Sequence, residues 1–314
     1  MKPTIALFAG DPAGIGPELV AKLLADPATL ARADVVLIGQ PAQTQVPQGL
    51  RWHDWAGAQA PAFERARARA DNGLYMLQGL EAGVGLAAAG AADAFCFAPL
   101  NKGALRAGGM QQEDELRWFA DLLGFKGPCG ELNVLDQLWT ARVTSHVALR
   151  EVSRLLSSEG VADAIGMIHR ALSAAGKVHP RIAVCGLNPH NGDNGNYGDE
   201  EARIIEPGVK LAAQRGYPAD GPFPADTAFV RARRAKKGYD GVVTMYHDQG
   251  QIAMKLMGFE RGVTVHGGLP IAITTPAHGT AYDIAGAGEA NAGAMLNAFD
   301  LACRIGLNRR QGRH

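Results

Sequence analysis

Short apolar runs rich in β-forming residues recur along this chain, separated by longer segments of helical period. Ile5–Phe8, Val35–Ile38, Ala94–Phe97, Ile182–Val184 and Val242–Met245 read as strands. Alternation of such runs with helices is the pattern of an α/β protein built on a largely parallel sheet. Leu19, Val20, Leu23 and Leu24 form the apolar stripe of one helix, and Val161, Ile165, Ile168 and Leu172 form another after a break at Ser158-Glu159-Gly160. The Ala- and Arg-rich stretch Ala62–Ala70 predicts a solvated helix entered through Pro61. With 314 residues, 47 % of them hydrophobic, the chain can bury a core large enough for two domains.

The charges exclude some functions. Lysine and arginine number 31, as do aspartate and glutamate, so no net field draws the chain to nucleic acid or to an anionic membrane. No apolar run approaches the roughly 18 residues of a membrane span. Cys96, Cys129, Cys185 and Cys303 are widely spaced with no CxxC pair, which fits reduced thiols. The apolar segment Thr4–Ala9 is too short for a signal peptide. The expectation is a cytoplasmic protein.

Glycines gather in Gly10–Gly16, Gly186–Gly198 and Gly258–Gly268, read as loops that follow strands. In open α/β sheets ligands bind beyond the carboxyl ends of the strands, so these loops are where chemistry is expected. In the first, Gly14 and Gly16 permit close backbone approach, Pro17 pre-sets a helical turn and Glu18 suits the positive end of the helix. A tight βα turn explains the same residues equally well.

Three histidines follow strands in turn-forming contexts: Ser145-His146, Asn188-Pro189-His190-Asn191 and Tyr246-His247-Asp248. Three neutral imidazoles would hold a divalent ion and leave positions open for substrate, with Asp248 and Asn188 placed to fix a ring tautomer. Each histidine alone is more often structural, and an Asx turn would account for Asp248. His53, His169, His179 and His314 are read as surface residues on helices or loops. Gly279 and Gly286 bracket a loop able to wrap a flat ligand, within which Asp283 could accept from both hydroxyls of a ribose.

These segments together resemble one family. GDPAGIGPE at 10–18, APLNKGAL at 98–105, GLNPHNG at 186–192, GPFPADT at 221–227, MYHDQG at 245–250, GFERGV at 258–263 and HGTAYDIAG at 278–286 are similar to the 4-hydroxythreonine-4-phosphate dehydrogenases. GIGPE and HGTAYDIAG more distantly resemble the isopropylmalate and isocitrate dehydrogenases. The resemblance implies two α/β/α domains with a cleft between them: 1–105 plus 255–314 binding the cofactor, and 106–254 carrying metal ligands and dimer contacts. It implies His146, His190 and His247 as ligands of one divalent ion (zinc first, with cobalt, nickel, manganese or magnesium as alternatives). It also implies a homodimer with its active site at the interface. Gly14, Gly16, His278, Gly279, Thr280, Ala281 and Asp283 are implied as cofactor contacts, the acid at Asp283 going with NAD.

The sequence departs from the family at the substrate. Asp114-Glu115-Leu116-Arg117 replaces a Gly-His-Thr-Glu motif; Lys255 is retained, but the family's substrate Asn and Arg fall at Thr264 and Ile273. Arginine is a bidentate phosphate donor and isoleucine is not. The expectation is therefore an NAD-linked dehydrogenase for a hydroxy acid such as a carboxylated cis-dihydrodiol, with decarboxylation of the β-keto acid product. Its substrate contacts would come from Lys255, Arg117, Thr264, His266 and Glu115, and its proton transfer from Lys255, Asp248 or Lys102. The alternatives are 4-hydroxythreonine-4-phosphate itself or a phosphorylated sugar acid as substrate. A metal-dependent hydrolase or lyase without NAD, and a catalytically dead binding protein, are the competing classes.

Overall fold

A computed structural model describes residues 2–39, 44–53 and 64–312. The chain divides into two compact units: Met1–Lys126 with Val263–Val265 and Leu269–His314, and Gly127–Gly262 with His266–Gly268. Both ends of the described chain lie in the first. The divisions fall further along the chain than the sequence places them, because 106–126 packs with the first unit and 255–262 with the second.

In the first unit β1 (Thr4–Phe8) is flanked by β2 (Asp34–Ile38) and β4 (Ala94–Phe97), with β3 (Arg51–His53) outside β2 and β11 (Ile273–Pro276) beside β4. These five strands are parallel. β10 (Val263–Gly267) runs antiparallel to β11, pairing Thr264 with Thr275. Phe8, Phe95 and Ile273 are fully buried in a core completed by the helix Ala70–Ala88, whose Gly79 and Gly83 lie directly over the Phe8 and Phe95 rings. The strand cores Ile5–Phe8 and Ala94–Phe97 coincide with the apolar runs because a strand covered on both faces needs no polar alternation.

In the second unit β5 (Gly130–Leu135) and β6 (Leu138–Arg142) form a hairpin, and β6, β9 (Gly241–Thr244), β7 (Ile182–Cys185) and β8 (Asp220–Phe223) lie side by side in that order, all parallel. The helix Ser158–Ala174 covers them with Val161, Ile165, Ile168 and Leu172, all fully buried.

Several local expectations are corrected. Ser158-Glu159-Gly160 is the first turn of that helix, since the Ser157 side chain caps it by accepting from the Gly160 N–H at 3.0 Å. The helix expected over Ala62–Ala70 is absent from its described part: Ala66 has φ +59° and its N–H donates to the Ala13 carbonyl, so helix begins only at Ala70. Pro61 to Phe63 lie outside the described residues. Gly258–Gly268 contains β10 and is not a loop throughout, because Val263 and Val265 supply a strand's buried face. His53 ends β3, and His314 lies outside the described residues.

Candidate active site

The three histidine segments leave the carboxyl ends of three adjacent parallel strands. His146 follows β6, His247 follows β9 and His190 follows β7, and β9 lies between the other two. Beyond β6 the pairing continues: the Val143 N–H donates to the Thr244 carbonyl, and both the N–H and the hydroxyl of Thr144 donate to the Met245 carbonyl. This zipper brings the His146 and His247 rings to 5.8 Å between centroids. Two imidazoles on one ion, with metal–nitrogen distances near 2.0–2.1 Å, place their ring centres roughly 5 Å apart, so the separation of this pair is close to that of two ligands of one ion. Asp248 accepts from His247 Nδ1 at 2.6 Å, which leaves Nε2 as the lone-pair nitrogen that a metal requires. A cavity of about 380 Å³ opens beside the pair, with Val147, Leu149 and Tyr246 in its walls.

His190 does not join them. Among the described residues no group of three or more His, Cys, Asp or Glu side chains is gathered closely enough to hold a metal ion. His190 opens a run of left-handed residues, with Asn191, Asp193 and Asn194 also at positive φ, and its ring stands 6.4 Å from Tyr197. The loop is pinned from beneath by Glu201, buried at 4 % exposure, which accepts from the Leu187 and Asn188 N–H groups at 2.7 Å each and from the Asn188 side chain at 3.0 Å. Gln249 ties two of the strand ends together, accepting from the Met245 N–H at 2.7 Å and donating to the Gly186 carbonyl at 2.9 Å. Neither Glu201 nor Gln249 was singled out from the sequence. Gln249 stands inside a motif already quoted, whereas nothing near Glu201 in the chain advertises its burial.

In the first unit the Gly10–Gly16 loop and the His278–Gly286 loop are built against each other. A Cβ on Gly14 would lie 2.8 Å from the Thr280 Cβ, and the Ile15 N–H donates to the Thr280 carbonyl at 3.1 Å. A Cβ on Gly16 would strike the Ala9 carbonyl, so both glycines admit the chain's own backbone. Tyr282 donates to Asp11 at 2.6 Å, and Glu18 and Lys22 clamp the following turn at Gly288 and Ala290. Burial works to raise the Glu18 carboxyl, but the Lys22 ammonium and the Ala290 N–H outweigh it and hold the group below its ordinary range. Gly279 differs from the other two: it is exposed, and a Cβ there would meet nothing within 4 Å, so packing of the chain does not demand its bare backbone. His278 donates from Nδ1 to the Gly279 carbonyl at 3.0 Å, Ala281 is left-handed at φ +41°, and Asp283 is exposed.

The remaining candidates are scattered. Lys102, exposed at the start of one helix, lies 3.9 Å from the nearly buried Glu115 carboxylate at the start of another. Arg117 is exposed two residues on, and its N–H donates to the capping Asp114 at 2.8 Å. Asp248 and Lys255 are seven residues apart on the helix His247–Gly258 and therefore share a face, about 10 Å apart along the axis. His266 is 4 % exposed on β10, and Ile273, where the family's substrate arginine was expected, is fully buried beside Phe95.

A family model for the pyridoxal phosphate biosynthetic protein PdxA matches residues 19–302. The chain belongs to this family. A Pseudomonas aeruginosa relative is 51 % identical over 332 residues, with 98 % of each chain covered. A Salmonella typhimurium relative named D-threonate 4-phosphate dehydrogenase is 36 % identical, covering 96 % of this chain and 98 % of its own. The crystal structure of 4-hydroxythreonine-4-phosphate dehydrogenase from Klebsiella pneumoniae superposes on this PdxA-family chain with a TM-score of 0.84, at 34 % identity and 98 % coverage of both. A terephthalate 1,2-cis-dihydrodiol dehydrogenase from Burkholderia xenovorans does so at 0.72, with 27 % identity and 97 % and 98 % coverage. A β-decarboxylating dehydrogenase from Thermococcus kodakarensis, at 17 % identity, TM-score 0.52 and 100 % and 89 % coverage, shares the fold alone. The expected family and the isocitrate dehydrogenase-like α/β fold are both found.

Proposed function

We propose that this PdxA-family chain is a metal-dependent, NAD-linked dehydrogenase that oxidises a secondary hydroxyl of a hydroxy acid and releases CO2 from the resulting β-keto acid. The observation that carries the reading is the pairing of His146 with His247 beyond adjacent parallel strands, with Asp248 fixing the His247 tautomer. His190 leaves the next strand along; to serve as a third ligand its ring would have to leave its place beside Tyr197 and turn toward the pair. When bound, the ion would supply Lewis acidity toward the substrate hydroxyl, and NAD would accept the hydride.

The chain's own residues do the rest. Exposed Asp283 offers two acceptors for the paired hydroxyls of a ribose, and the open backbone at Gly279 lets the cofactor approach. Lys255, on the same helical face as Asp248, supplies a cation for the substrate carboxylate and a group for proton transfer, while Asp248 holds the His247 ring. Lys102, exposed and 3.9 Å from Glu115, is a candidate for proton transfer on the first unit. With Ile273 fully buried and His266 nearly so, neither supports recognition of a phosphate. This favours a carboxylated cis-dihydrodiol, in keeping with the name of the Burkholderia xenovorans neighbour. The names of the Salmonella and Klebsiella relatives favour the second reading, a 4-phosphorylated hydroxy acid.

Exposed Val147, Leu149, Ile252 and Leu256 stand near the paired histidines in the sequence and on the same helix, and support a homodimer that covers them. Sedimentation of the pure protein at two concentrations tests this. For the activity, pure protein, NAD and a divalent metal are incubated with dihydrodiol carboxylates and with 4-hydroxythreonine and threonate 4-phosphates. NADH absorbance that chelator abolishes supports the dehydrogenase, and the better substrate decides between the readings. Absence of NADH with every substrate and metal, while metal and NAD both bind, overturns it.

A further inference from the structure

The paired histidines rest on a polar network that neither the quoted motifs nor the proposed chemistry accounts for. Arg142, the last residue of β6, has a guanidinium-bearing side chain only 7 % exposed, and it donates on three sides. Nε donates to Ser145 Oγ at 2.7 Å, one terminal nitrogen to Asn133 Oδ1 at 2.9 Å and the other to Glu131 Oε2 at 2.5 Å. The Asn133 oxygen also accepts from Gln251 Nε2 at 2.5 Å. Ser145 immediately precedes His146, and Gln251 stands one turn along the helix that His247 opens. Arg142, His247, Gly250 and Gln251 line one narrow crevice.

Taking a guanidinium out of water is costly, and an ion pair with Glu131 alone would neutralise it equally well at the surface. What the buried position adds is geometry. A planar fork with fixed donor directions can hold several acceptors at set angles, which a lysine ammonium cannot. One group here fixes the turn before His146 and, through Asn133, the helix that begins with His247. Partners that orient metal ligands without touching the metal are worth about 10–100-fold in metal affinity.

We propose that Arg142 is a positioning residue for the two imidazoles, setting the distance and angle at which His146 and His247 meet an ion. The proposal rests on reading these histidines as metal ligands. The probe is Co2+ added to the full chain, followed by its visible ligand-field bands and by calorimetry, with circular dichroism melts run in parallel. Arg142→Lys, folded, is expected to bind Co2+ more weakly by up to about 10-fold, since it acts on the imidazoles through Ser145 and Asn133 and not directly, and with shifted bands. Ser145→Ala leaves the Arg142–Glu131 pair in place and decides the matter if Arg142→Lys fails to fold; it is expected to weaken binding in the same direction by less. If wild-type binding is lost in His146→Ala and His247→Ala, yet both test variants match wild type in affinity and bands, the positioning role is overturned and the metal reading stands. If wild type shows no histidine-dependent Co2+ binding, the metal reading falls and the proposal with it.

Discussion

Asp11 is fully buried in the first βα loop, where the Ala13 N–H and the Tyr282 hydroxyl both donate to it. Burial raises its carboxyl above the ordinary value, and those two hydrogen bonds only partly offset the rise. An acid whose folded value is raised holds its proton more tightly when folded, so its contribution to stability is complete at low pH and is lost as pH climbs through the raised value. Asp11→Asn cannot titrate. Relative to this variant, wild type is expected to lose melting temperature as pH rises from the ordinary carboxylate range and to level off above it, checked by thermal melts from about pH 3.5 to 7. A difference that stays constant across that range would refute the assignment. At the other site, Asp248→Asn is expected to weaken metal binding by about 10–100-fold, because the amide no longer fixes His247 with a free Nε2; calorimetry with Co2+ measures it. Residue identity was legible at these positions and environment was not. Asp11 reads as an ordinary turn residue in Gly10-Asp11-Pro12, and only the return of the chain 271 positions later brings Tyr282 to it.

Among elements, the helix Ala70–Ala88 shows how far local preference yields to packing. It carries Gly73, Gly79, Gly83 and Gly85, a composition that lowers helix propensity by roughly 1 kcal/mol per glycine against alanine. Added Cβ atoms at Gly79 and Gly83 would lie 2.4 and 2.3 Å from the rings of Phe8 and Phe95, whereas one at Gly85 would meet nothing within 4 Å. Gly85→Ala is therefore expected to stabilise the protein by up to about 1 kcal/mol, and Gly83→Ala to destabilise it by about 1–3 kcal/mol through overpacking. Urea unfolding of the two variants gives opposite signs if the glycines are there for the rings. The stripes Leu19 to Leu24 and Val161 to Leu172 were legible because burial and helical period coincide there. Over the described residues 64–69 no helix forms: alanine and arginine favour a helix on any surface, but the contact of Ala66 with Ala13 belongs to the folded loop.

At the scale of the molecule, the proposed ligands fall on different units: the metal on loops of Gly127–Gly262 and NAD on loops of the unit that holds both ends of the described chain. Co2+ alone is then expected to slow hydrogen exchange around 144–148 and 246–250, and NAD alone around 10–16 and 278–286, each read by mass spectrometry. Protection by NAD confined to the histidine loops would count against that division. Metal at about 100 times its dissociation constant is expected to add about 2.7 kcal/mol of stability, removed by chelator and visible as a fall in melting temperature. The sequence by itself determined the α/β class, the five strand cores and the family, since apolar period and turn chemistry are local properties that survive without coordinates. Tertiary structure alone decided that β9 slips between β6 and β7, that His146 meets His247 while His190 turns toward Tyr197, and that Ile273 is core. Loop anchoring rests on residues such as Arg142, which reaches back 9 and 11 positions to Asn133 and Glu131, and Glu201, which holds Leu187 and Asn188 14 and 13 positions before it; no local pattern encodes their burial.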